Sequence, residues 1–109
     1  MTDSQADRPE TILVTGAIVA RDDTFDRLLA VAREHVERSR TEPGCLSHAV
    51  HRDVENPLRL VFVEEWASRE ALKTHFAVPG SREFVETIRS LVAEPPTLDV
   101  YAATKIELA

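Results

Sequence analysis

His75 is the side chain in this sequence best suited to proton chemistry. Helical spacing sets it on one stripe with Ala71 and Leu72, so it points inward. A neutral imidazole in a cavity can take a proton from an acidic phenol, because it titrates near neutral pH. It can equally fix its helix to a sheet by hydrogen-bonding backbone or a glutamate. Trp66 offers an aromatic wall for a planar ligand and an N–H for a carbonyl or reduced oxygen, or else it fills the core. Strand alternation puts Phe62, Glu64 and Trp66 on one face. A carboxylate in that company needs a partner, whether an arginine, His75 or a backbone amide. Tyr101, the only tyrosine, either meets a substrate oxygen or packs. Phe62, Phe76 and Phe84 belong to the core, and Phe62 and Phe76 are candidates to line a pocket.

His48 and His51 suggest a metal pair, but residues three apart on a strand face opposite ways. Neither H-x-x-x-H nor C-x-x-C spacing occurs, so no protein-bound metal is expected. A glycine-rich phosphate loop and a G-x-S-x-G elbow are also missing. Cys45 opens a strand after Gly44, where it is either reactive or a small inert core residue.

The elements that hold these residues follow from periodicity. Ile12 to Ala20 is apolar and β-branched on both faces, a strand buried on both sides, with Gly16 allowing a ligand or backbone to come close. After Asp22-Asp23-Thr24, the residues Phe25, Leu28, Leu29, Ala32, Val36 and Ser39 recur at helical spacing, which predicts a helix over 24–41 that Pro43-Gly44 ends. Residues 45–52 and 58–66 alternate as strands of a hairpin about Glu55-Asn56-Pro57. Ser68 caps a short helix that Val78-Pro79-Gly80 breaks. Ser81 is expected to cap a second one, which Glu94-Pro95-Pro96 stops. Residues 97–106 form a last strand. The order β-α-β-β-α-β predicts an α+β, ferredoxin-like protomer with an antiparallel sheet.

Residues 1–10 are polar and read as a loose tail before a domain at 11–107. A chain of 109 residues holds one modest core and has no room for a two-domain dinucleotide enzyme. The net charge of −6 gives no general pull toward nucleic acid or an anionic membrane surface. One cysteine excludes a disulfide-stapled scaffold, and no apolar run approaches a bilayer span. With no basic, apolar leader pattern, the expected compartment is the cytoplasm. The strands carry apolar residues on both faces, so the uncovered sheet face predicts a homodimer packed sheet to sheet.

Glu42-Pro43-Gly44-Cys45, then Glu64-Glu65-Trp66, then Ala71-Leu72-Lys73-Thr74-His75 stand in order on these elements. This pattern resembles the antibiotic biosynthesis monooxygenase family over nearly the whole chain, from about Thr11 to Ile106. The resemblance implies a dimeric α+β barrel with His75 matching the family's histidine on the short helix. It implies a monooxygenase that works without metal, flavin or other cofactor on a small quinol, phenol or anthrone-like substrate with O2. His75 would then be the base and Trp66 a wall and donor, with Glu64, Phe62, Phe76 and Tyr101 about the substrate. Haem-degrading relatives use an asparagine on the first strand. Here that strand has Thr15, and Asn56 in the hairpin turn is the only asparagine, which counts against haem. A haem-binding or haem-degrading oxygenase of the same fold, with haem on His75, stays an alternative, beside a small-metabolite isomerase and a non-catalytic ligand-binding dimer.

Overall fold

The computed structural model describes residues 10–109. The expected tail over residues 1–10 lies outside them except for Glu10. The elements run β1 (Thr11–Val19), α1 (Phe25–Ser39), β2 (Cys45–Arg52), β3 (Arg59–Trp66), α2 (Arg69–Ala77), α3 (Pro79–Ile88) and β4 (Thr97–Ala103). The four strands form one sheet in the order β2-β3-β1-β4, every pair antiparallel. This is the α+β, ferredoxin-like protomer that the periodicity predicts.

Burial follows the alternation of the strands. Leu60, Phe62, Glu64 and Trp66 of β3 face the helices and are buried, while Val61, Val63 and Glu65 face away. Beneath α1 and α3, Ile18, Phe25, Leu28, Ala32, Val36, Leu60, Phe62 and Ile88 form one apolar cluster. A second gathers Ile12, Val14, Trp66 and Leu72 under α2. Glu64 sits on β3 between them, paired across the sheet with Val14 and His48. The polar site therefore fills the gap between two apolar cores.

Local chemistry sets the helix ends. Thr24 precedes α1 but spends its hydroxyl elsewhere, accepting from Arg21 N and donating to Leu91 O at 2.6 Å, so it ties the helix start to the turn after α3. Ser68 caps α2 as expected, its Oγ accepting from Ala71 N at 3.1 Å. Ser81 does not cap α3. The extended backbone of Val78 (ψ 146°) breaks the path, and Pro79, with its fixed φ and no N–H, starts α3 there. Ser81 is thus inside the helix and buried. Gly44 ends the turn after α1 at φ 83°, a conformation that favours glycine.

Candidate functional site

Glu42 lies in the turn after α1 and reaches α2. Its Oε1 accepts from His75 Nδ1 at 2.7 Å, because a carboxylate only accepts. This contact places a proton on His75 Nδ1, so the neutral ring carries its lone pair on Nε2. Ser81 Oγ stands 3.5 Å from the same Nδ1. Of the two functions open to His75, the fixing hydrogen bond is present, and it leaves the second nitrogen free among the described residues.

His35 on α1 completes the constellation, and no step of the sequence reading singled it out. It is buried, and its ring stacks on Phe84 with centroids 4.0 Å apart. Arg38 Nη2 donates to its Nδ1 at 2.6 Å and to Ser81 Oγ at 3.3 Å. Burial, and then the Arg38 guanidinium, push its pKa down to about 3, so the ring stays neutral. The signal was present: position 35 lies three after Ala32 and four before Ser39, on the buried stripe of α1.

Glu64 is buried and accepts from the Trp66 indole at 2.9 Å. His48 Nε2 lies 3.3 Å from the same oxygen. Burial opposes ionisation of Glu64, but His48 and the Trp66 N–H more than offset it and hold the carboxyl below the usual range. Burial and the nearby Glu64 and Glu42 charges push the Cys45 thiol up, which makes it a protonated, unreactive sulfur.

A cavity of about 200 Å³ opens between the sheet and the α2–α3 pair. Phe62, Phe76, Phe84, Ile88 and Leu98 give it apolar walls, and His35, Glu64, His75 and Ser81 give it one polar end. Gly16 is on its sheet side. A Cβ there would meet Thr97 O at 3.0 Å, so glycine lets β4 close against β1. Of the residues expected near a ligand, His75, Glu64, Phe62 and Phe76 border this cavity. Trp66 and Tyr101 are not among its lining residues. Trp66 is fully buried, and its N–H, expected to be free for a ligand, is committed to Glu64. Tyr101 pairs with Leu13 and borders a separate groove with Ile12, Leu72 and Val100.

The expectation of no metal site needs correction in its reasoning. His48 and His51 do face opposite ways, with His48 buried and His51 exposed. But His35, His48 and His75, from α1, β2 and α2, each bring one ring nitrogen within 4.8 Å of the others. Spacing within a segment says nothing of ligands that tertiary packing assembles.

One antiparallel sheet with helices packed on it and a histidine-ended apolar cavity define a small α+β, ferredoxin-like domain. The particular family is shown by comparison: residues 11–87 match antibiotic biosynthesis monooxygenase, and the chain belongs to that family. An uncharacterised protein of Synechocystis sp. is 36% identical over 96 residues, which cover 88% of this chain and 64% of that protein. A solved antibiotic biosynthesis monooxygenase is 30% identical with a TM-score of 0.80, covering 86% of this chain and 99% of that one. Rv0793 of Mycobacterium tuberculosis shares the fold at a TM-score of 0.82 and 24% identity, over 88% of this chain and 97% of that one. Among the described residues, no helix is long and apolar enough to cross a membrane.

Proposed function

We propose that this protein is a monooxygenase that adds oxygen from O2 to a small monocyclic quinol or phenol. The supporting observation is the apolar cavity whose polar end includes His75, an imidazole oriented by its Nδ1 contact with Glu42. The ring lies among Phe62, Phe76, Phe84 and Leu98, with its hydroxyl toward His75. Proton loss gives an electron-rich anion that reduces O2. For a quinol the balance closes without a further reductant: quinol and O2 give hydroxyquinone and water. No cofactor is needed for this balance. Glu42 holds the imidazole in the right tautomer, and the dry walls favour the anion's contacts with protein over water.

Cavity size selects among the expected substrates. A dry cavity of about 150 Å³ holds one benzene. At about 200 Å³ this one has room for a single substituted ring. We further propose a homodimer, packed through the sheet face that bears Leu13, Val61, Val63 and Tyr101.

The test is oxygen uptake by EDTA-treated protein over a panel of monocyclic quinols and phenols, with His75→Ala and Glu42→Gln as variants. Uptake above the uncatalysed rate, abolished by His75→Ala and reduced by Glu42→Gln, supports the reading. Uptake that survives His75→Ala removes the base from the mechanism, and no uptake across the panel overturns the reaction.

A further inference from the structure

The geometry points to a site for one divalent first-row transition ion, of the Zn2+ or Co2+ kind, held by His35, His48 and His75. The buried side-chain nitrogen and oxygen atoms with no hydrogen-bond partner among the described residues are Arg38 Nε, Glu42 Oε2, His48 Nδ1 and His48 Nε2. All four belong to this one cluster, which is where an unplaced charge would leave its mark.

His48 is the strongest case. Its side chain is fully buried, yet neither ring nitrogen makes a hydrogen bond. Its Nε2 faces Glu64 at 3.3 Å, close to the carboxylate–imidazole arrangement that orients a metal-binding histidine, and its Nδ1 is then left for the ion. His75 already has that arrangement, with Nδ1–H on Glu42 and the Nε2 lone pair free. Two carboxylates behind two ligands balance a dication. Three imidazoles suit Zn2+, Co2+, Ni2+ or Cu2+ and not Mg2+ or Ca2+, which take oxygen.

His35 is gated. A guanidinium cannot accept, so the Arg38 contact keeps the His35 proton on Nε2. Loading requires Arg38 to release that ring. Its Nε lies 3.6 Å from Glu42 Oε2, and both atoms lack a partner. A swing of Arg38 onto Glu42 satisfies both and frees His35. One ring nitrogen of each histidine lies within 4.8 Å of the others, and the three ligating nitrogens must come to about 3.4 Å apart for a tetrahedral ion with bonds near 2.1 Å. Two of the three histidines, His35 and His75, also border the apolar cavity. The site goes beyond the oxygenation reading and does not rest on it. An ion on His75 Nε2 occupies the lone pair that would act as base, so the two uses exclude each other within one protomer.

The test is titration of the full-length, tag-free, EDTA-treated protein with Co2+, read by the visible d–d bands of four-coordinate cobalt. One equivalent is expected to give intense bands that Zn2+ bleaches. Arg38→Gln, which keeps every ligand and offers His35 an acceptor, is expected to bind about tenfold tighter, and Glu42→Gln about tenfold weaker. His48→Gln is expected to lose the bands, and a metal-free melt confirms that each variant is folded. His51→Ala, altering the exposed histidine, is expected to change nothing. A pale six-coordinate spectrum, an unchanged affinity in Arg38→Gln, or loss of binding in His51→Ala overturns the proposal. Metal binding is read without substrate, and oxygen uptake is read on metal-free protein, so failure of one leaves the other standing.

Discussion

Gly44→Ala tests how the turn after α1 is joined to α2. Gly44 sits at φ 83°, and a left-handed conformation costs an L-residue roughly 1–2 kcal/mol. A Cβ at this position would also stand 2.5 Å from the Ala71 Cβ. Ala71 has no side chain to swing aside, so α2 itself must shift, and overpacking of that kind costs roughly 1–3 kcal/mol. The two effects together reach about 2–5 kcal/mol, a large part of the roughly 5–15 kcal/mol that holds a domain folded. At about 5 °C per kcal/mol, Tm falls by roughly 10–25 °C. Thermal and urea denaturation followed by circular dichroism provide the measurement. Ala71→Gly alone costs about 1 kcal/mol of helix propensity, but combined with Gly44→Ala it removes the clash. The double variant should therefore be less destabilised than the sum of the singles by about 1–3 kcal/mol, with the dihedral and helix-propensity costs remaining. A Gly44→Ala protein that melts like the wild type, or two substitutions that simply add, refutes this account.

Asp53 accepts from Glu55 N at 2.8 Å and from Arg59 Nη1 at 3.0 Å in the β2–β3 hairpin. The backbone bond first, then Arg59, hold its carboxyl below the usual 3.8. Its contribution is present above the unfolded value and is lost as pH falls through the lower folded value. Asp53→Asn should therefore melt lower than wild type at neutral pH, and the gap should close in acid. Val63→Asp places a charge on the open sheet face and should convert a dimer to a monomer in sedimentation velocity. A wild-type chain that already sediments as a monomer would refute that interface.

The fold was legible because its signals are local. The alternation of Leu60, Phe62, Glu64 and Trp66 fixes one strand and its inward face, and Ser68 marks the start of α2 within its own turn. The opposite orientation of His48 and His51 follows from the strand repeat alone. The site was legible only in part, because its distances belong to packing between elements. His75 and Glu64 could be placed on inward faces, but nothing local brings His75 to Glu42, 33 residues away in the chain. His35 lay on the apolar stripe of α1 and was passed over because a polar residue does not mark that periodicity. The Trp66 N–H could not be known to be engaged until its rotamer was fixed against Glu64. Ser81 was misplaced because Pro79, a helix breaker in one reading, is also a favoured first residue of the next helix.

The shortness of α2 bears on how long the site persists. At nine residues it is below the length at which an isolated helix holds in water. Its attachments are the Ser68 cap, the burial of Leu72 and the hydrogen bond of His75 to Glu42. The imidazole is thus both a working group and the peg that keeps its own helix docked. An undocking of α2 would remove His75 from the polar cluster and Phe76 from the cavity wall together. The fraction of time the site is assembled is then set by the opening free energy of α2, and amide exchange in α2 reads it.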